Sequence, residues 1–129
     1  MVSQQHPFTP TEHLAQAERN EKLANALVDL GSDHLDWVVT IVFYSALHYI
    51  YSKLPLGRKI CSNYIKFEKE ISIHFSNKPT IYKNYKGLKD KSRNARYHPH
   101  FADEYSKDEK FIESILLKLE KLKNGLGIS

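Results

Sequence analysis

The stretch Leu35-Asp36-Trp37-Val38-Val39-Thr40-Ile41-Val42-Phe43-Tyr44-Ser45-Ala46-Leu47-His48-Tyr49-Ile50-Tyr51 decides the fold. Its apolar residues fall on nearly every side of a 3.6-residue helix, so the segment predicts a helix covered almost all round. Such a helix sits at the centre of a bundle, or serves a bundle and a subunit interface together. Its β-branched residues would also suit a strand, but a run of about 20 residues is far too long for one. Ser32 or Asp33 caps the start and Pro55-Leu56-Gly57 ends it after Leu54, for a predicted helix over 33–54.

The flanks carry helical signals of their own. Upstream, Thr9-Pro10-Thr11-Glu12 combines an N-cap threonine, proline at the first helical position and glutamate three residues after the cap. It opens a predicted helix over 10–30, with Gly31 as a left-handed stop and a buried stripe of Leu23, Leu27 and Leu30 beside Ala17 and Ala24. Downstream, the spacing of Tyr64, Phe67, Ile71 and Phe75 predicts a helix over 63–75, and Asn77-Lys78-Pro79-Thr80 reads as a turn. Ile81, Tyr85, Leu88, Ser92 and Ala95 alternate spacings of four and three, a regular seam for a helix over 80–97 that leaves its lysines outside. Gly87 weakens that helix by about 1 kcal/mol relative to alanine, and Pro99 stops it. Ser106-Lys107-Asp108-Glu109 is a second capping box. It opens a helix over 107–123 with Phe111, Ile112, Ile115, Leu116, Leu119 and Leu122 inward, ending in Asn124-Gly125. With no strand, repeat or linker, the expectation is an all-α, antiparallel four- to five-helix bundle, one domain over 1–129.

A chain of 129 residues, 41% hydrophobic and 26% charged, fits one folded domain and excludes a disordered or collagen-like polymer. Cys61 is the single cysteine, which rules out an internal disulfide and a multi-cysteine zinc cage and suggests a reducing compartment. The longest apolar run, Trp37 to Tyr44, is broken by Thr40 and is far below the roughly 20 residues of a membrane span. Residues 1–6 lack the charged and apolar regions of a signal peptide, so a cytoplasmic protein without membrane contact is expected. The net charge is +4, and its placement says more than its size. Lys83, Lys86, Lys89, Lys91, Arg93 and Arg96 stand against Asp90 alone, whereas residues 1–36 hold six acids against Arg19 and Lys22. This polarity predicts one compact positive face suited to a polyanion, nucleic acid first, with a merely solvated helix surface as the plain alternative.

The chemistry concentrates in Ser92-Arg93-Asn94-Ala95-Arg96-Tyr97-His98-Pro99-His100. Arginine grips phosphate through a planar fork and stays charged, while histidine exchanges protons near neutrality. Together they suffice for metal-free phosphodiester cleavage, with one group holding the phosphate and another moving protons between the attacking 2′-hydroxyl and the leaving oxygen. Five residues of helix set Arg93 and His98 roughly 140° apart, and the proline after His98 biases it out of the helix. One copy therefore presents the pair awkwardly, whereas a two-fold dimer would place two copies of each around one cleft. His98-x-His100 with Asp103 or Glu104 could be read as metal ligands, but that spacing suits a strand better than a helix end, so neither metal nor cofactor is expected. His48 on the apolar helix reads more simply as a satisfied core residue than as part of a site. Tyr44, Tyr49, Tyr51, Tyr82, Tyr85 and Tyr97 read as core or interface aromatics before base-stacking platforms.

Arg93-Asn94, three intervening residues and His98 resemble the arginine–polar–x–x–x–histidine motif of the HEPN superfamily, small helical domains that include many ribonucleases of toxin–antitoxin, abortive-infection and CRISPR-associated systems. Trp37 and Phe43-Tyr44-Ser45-Ala46-Leu47-His48 are similar to the central-helix signature of small prokaryotic members. Tyr85, Leu88, Ser92, Arg93, Ala95, Arg96 and Tyr97 are similar to their motif-bearing helix, so the resemblance spans roughly residues 35–98. It implies a metal-independent endoribonuclease, active as a homodimer, that leaves a 2′,3′-cyclic phosphate and a 5′-hydroxyl. Arg93 would contact the phosphate, Asn94 would orient it and His98 would be the general acid/base. Lys86, Lys89, Arg96, Tyr97 and His100 would support RNA binding, and an antitoxin or other regulatory protein would be a further partner. His100 departs from one toxin subgroup, which has tyrosine at that position. Other superfamily members only bind nucleotides, RNA or partner proteins, which is the alternative reading.

Overall fold

A computed structural model describes residues 8–55, 61–106 and 108–128. The leader reading of residues 1–6, and Leu56 and Gly57 of the predicted stop, lie outside the described residues. Within them the chain forms six α-helices and no strand: α1 (Pro10–Asp29), α2 (Leu35–Tyr51), α3 (Tyr64–His74), α4 (Pro79–Tyr97), α5 (Phe101–Tyr105) and α6 (Glu109–Gly125).

The pairing of α1, α2, α4 and α6 is antiparallel throughout. Along α1 and α2, His13 meets His48 and Ala17 meets Ser45, one number rising as the other falls. Phe43 of α2 packs on Tyr85 of α4, while Trp37 and Thr40 share a cavity wall with Ala95 and Arg96. Between α4 and α6, Ile81 approaches Gly125, Gly87 approaches Lys118, and Lys91 lies over Phe111. The four long helices thus run up and down in turn, with α3 and α5 as short elements in the connections.

The capping box at Thr9 and Glu12 forms as expected, with the Glu12 N–H donating to the Thr9 hydroxyl at 3.2 Å and the Thr9 N–H donating to the Glu12 carboxylate at 2.9 Å. Gly31 takes the left-handed conformation at φ +110°. The buried face of α1 differs from the expected leucine stripe. Leu23 and Leu30 are 50% and 70% exposed and Leu27 is half-buried, whereas Ala17 and Ala24 are buried as expected, joined by His13. The two stripes lie roughly 100° apart around the helix, and the alanine side wins because α1 sits so close to α2 that the Ser45 hydroxyl donates to the Ala17 carbonyl at 2.8 Å. Alanine leaves room for that approach and leucine does not.

α2 starts two residues later than expected, after a single 3-10 turn over Ser32–His34, and its first turn is served by Asp36, whose carboxylate accepts the Trp37 N–H at 2.9 Å. It occupies the centre of the bundle, touching α1, α4, α5 and α6. The seam of α4 is buried at all five expected positions: Ile81, Tyr85, Leu88, Ser92 and Ala95. α5 was not foreseen. Phe101 is buried, with its ring 4.8 Å from that of Tyr105 and edge-on to Phe111 at 5.6 Å, and Tyr105 stacks on Phe111 at 4.3 Å, which turns the segment after Pro99 back onto the bundle. As a consequence α6 is capped by Asp108, which accepts the Lys110 N–H at 3.1 Å, rather than by Ser106, whose own N–H closes α5 on Ala102.

Two carboxylates tie separate helices together. Glu21 of α1 accepts the Tyr49 hydroxyl of α2 at 2.5 Å and the Lys123 ammonium of α6 at 3.0 Å. Glu68 of α3 accepts the Tyr85 hydroxyl at 3.1 Å and the Lys89 ammonium, both of α4. Burial, with the adjacent glutamate second, pushes Tyr49 and Tyr85 far above the ordinary tyrosine value of 10.0, and burial does the same to Tyr51. The folded state then holds three protons more tightly than the unfolded chain, so stability is indifferent to these phenols below about pH 10 and falls above it. Thermal melts in a series of alkaline buffers should show the midpoint dropping steeply from about pH 10 upward, with the tyrosinate absorbance of three of the eight phenols appearing only together with unfolding.

Candidate active site

The seam of α4 fixes which way its basic residues point. Lys86, Lys89, Arg93 and Arg96 fall within roughly 80° of arc, whereas Lys83 and Lys91 lie on other sides of the helix. The single compact positive face expected from composition is therefore divided. Lys83 faces α6 beside Lys118 and Lys121, and the Lys91 ammonium lies 5.4 Å from the Tyr105 ring and 5.9 Å from that of Phe111. Lys89 is not outside at all. It is buried, ion-paired to Glu68 and set over the Tyr64 ring at 4.7 Å. Lys86 is paired with Asp90 at 3.1 Å.

What remains positive on this side is the last turn and a half. Arg93 is exposed and has neither hydrogen bond nor ion pair among the described residues. Arg96 is also exposed; its guanidinium bonds the Ser92 hydroxyl at 2.5 Å and lies 6.0 Å from the Tyr97 ring. Both guanidinium groups reach Tyr64 electrostatically. Burial, helped by the neighbouring Tyr44, pushes the Tyr64 phenol up, and the charges of Arg96 and Arg93 pull the other way. Tyr97 and Trp37 are 78% and 60% exposed. With Asp36, Thr40, Ala95 and Arg96 they line a cavity of about 390 Å³. Tyr44, Tyr64, the two arginines, Tyr97 and Trp37 thus form one continuous aromatic and cationic strip across α2, α3 and α4.

His98 leaves the helix as Pro99 requires. It is extended at φ −107° and ψ 106°, and its N–H still closes the helix on the Asn94 carbonyl at 2.9 Å. The ring is held at both nitrogens: Nδ1 accepts the His100 backbone N–H at 3.1 Å, and Nε2 lies 2.9 Å from the Glu104 carboxylate. This pattern places the proton of the neutral ring on Nε2. His100 is exposed, with Nδ1 3.8 Å from Asp103. The two histidines engage separate acids, and no group of three side chains arranged to hold a metal occurs among the described residues. Asn94 is half-buried on α4 one position beyond Arg93. Arg93 and His98 share one helix end, and no bond joins them within the single chain among the described residues.

Glu104 enters the sequence reading only as a possible metal ligand beside His98; its direct contact with the ring is not foreseen there, because nothing local marks α5 as the element that folds it back onto His98. His48 has the partner expected, with Nδ1 2.9 Å from Nδ1 of His13, but it is half-buried and lines a cavity of about 390 Å³ instead of lying in the core. Comparison with known proteins finds no matching family model, no matching curated protein and no matching solved structure.

Two outcomes follow from this geometry. Lys89→Ala should lower stability by about 2 kcal/mol in denaturant titrations, since it strands a largely buried carboxylate, while Lys86→Ala should leave stability unchanged. Nitrogen chemical shifts of the neutral His98 ring should show the proton on Nε2, and Glu104→Ala should keep that tautomer, since the His100 N–H still donates to Nδ1, while shifting the Nε2 resonance through loss of its acceptor.

Proposed function

We propose that this chain is a metal-independent endoribonuclease whose active centre is completed by a second copy across a two-fold axis. The observation that supports this most is the helix end itself. An exposed, unengaged Arg93 and the imidazole of His98 lie beside a strip of aromatic rings that the single chain leaves uncovered. Exposed contiguous aromatic surface of this kind is characteristic of interaction sites. Covering the strip with a second copy would bring two α4 ends together and set two guanidinium groups and two imidazoles around one groove.

In such a groove Arg93 neutralises the scissile phosphate and the charge that grows on it in the transition state. The 2′-oxygen attacks phosphorus and gives its proton to one imidazole, and the bond from phosphorus to the 5′-oxygen breaks as that oxygen takes a proton from an acid. The products are a 2′,3′-cyclic phosphate and a 5′-hydroxyl. Asn94 orients the phosphate, Arg96, Tyr97 and His100 hold flanking RNA, and Glu104 orients the His98 ring. Lys86 contributes once Asp90 is exchanged for phosphate, whereas Lys89 acts by holding α3 in place. The HEPN resemblance agrees with this chemistry and suggests a toxin–antitoxin or defence setting, with an antitoxin or similar regulator as protein partner.

A second reading, a non-catalytic module that binds nucleotides, RNA or a partner protein, is favoured by one observation. Both ring nitrogens of His98 are already engaged within the chain. Incubation of purified protein with RNA in EDTA separates the two. The nuclease reading expects chelator-resistant cleavage with cyclic-phosphate ends, falling by about a hundredfold or more in Arg93→Ala and His98→Ala. Retained RNA binding with intact RNA, or a protein that stays monomeric at every active concentration, would overturn it.

A further inference from the structure

On the side of α4 away from Arg93, the groove between α4 and α6 has a volume of about 510 Å³ and is lined by Thr80, Lys83, Asn84, Gly87, Ser114, Leu117, Lys118 and Lys121. Three of these are lysines and none is acidic. Neither Lys83 nor Lys121 has an ion-pair partner among the described residues, and the Lys118 ammonium bonds only the Ser114 hydroxyl, at 3.0 Å. Two helices therefore turn like charges toward one concave space, where they repel one another weakly and together attract an anion. Gly87 opens onto the same groove. It stands in the middle of a helix, where glycine is unfavourable. A Cβ there would come within 3.0 Å of Lys118 Cε and 3.3 Å of Cδ. The missing side chain lets the Lys118 stem lie across α4 and carries its charge into the groove.

We infer that this groove is a binding site for closely spaced phosphate groups, with Lys83, Lys118 and Lys121 as the cationic ligands and the Thr80 and Ser114 hydroxyls as neutral ones. Its size suits two or three linked phosphates rather than a single one. The phosphates could belong to a free or nucleotide polyphosphate or to successive linkages of RNA, and the chemistry of recognition is the same in each. The site does not depend on the nuclease reading, because Arg93 and His98 take no part in it.

The test is a thermal-shift and calorimetric titration of the full chain at low ionic strength with sodium tripolyphosphate, inorganic phosphate and an oligouridylate. Tripolyphosphate should raise the melting temperature of the wild-type chain and of Arg93→Ala alike. The double variant Lys83→Gln/Lys121→Gln should bind it at least tenfold more weakly while being no less stable without it. Gly87→Ala should melt higher than wild type yet bind more weakly, since the new methyl displaces the Lys118 stem. An oligouridylate shift that persists in Arg93→Ala and is lost in the lysine double variant would assign the groove to RNA linkages, and a shift of that kind with tripolyphosphate alone to a free or nucleotide polyphosphate. No shift with either, or a shift abolished by Arg93→Ala and kept by the lysine double variant, would overturn the assignment.

Discussion

The rotation of α4 about its own axis is the constraint on which the surface chemistry depends. Ile81, Tyr85, Leu88, Ser92 and Ala95 face inward, and their burial leaves no freedom to turn the helix by even one residue without exposing part of the core. Once that phase is set, the destinations of the six basic residues follow: Lys83 to the α6 side, Lys86 to Asp90, Lys89 to Glu68, Lys91 to the rings of Tyr105 and Phe111, and Arg93 and Arg96 to the aromatic strip. The Glu68 carboxylate reinforces the setting by accepting from both Tyr85 and Lys89, one turn apart on the same helix. A single apolar seam therefore divides one basic segment into an inner structural cation and two separate outer surfaces.

Much of this architecture was legible in the residues, for identifiable reasons. The long helices announce themselves through whole-turn periodicity and through caps such as Thr9 with Glu12 and left-handed Gly31, signals that act within a few residues of chain. The departures all involve a partner distant in sequence. The leucine stripe of α1 was as regular as the alanine one, and only the nearness of Ser45 on α2 decides between them. Lys89 looked like its neighbours because Glu68 lies twenty-one positions upstream. The single turn of α5 is too short for any period to show, and its register comes from Phe111 on the next helix.

The candidate site divides in the same way. Pro99 made the exit of His98 from the helix readable, and the exposure of Arg93 follows from the seam. The grip of Glu104 on the ring was not readable, nor was the openness of Trp37 in the single chain, since the all-round apolar periodicity of its helix fits a bundle centre and a subunit interface equally well. His98 is thus positioned by two contacts from the segment immediately after it, the His100 amide and the Glu104 carboxylate, rather than by the bundle. Its orientation depends on how α5 sits, while the orientation of Arg93 depends on how α4 sits. The two halves of the motif are anchored to different elements.

Trp37 is the sole indole in the chain, stands more than half in water and shares a cavity wall with Arg96 and Tyr97. Because no second tryptophan contributes background, its emission wavelength reads the polarity of that one spot. Whatever settles over the strip, whether another subunit or a strand of RNA, would register as a spectral change without any label. The protein carries a built-in optical gauge at this surface.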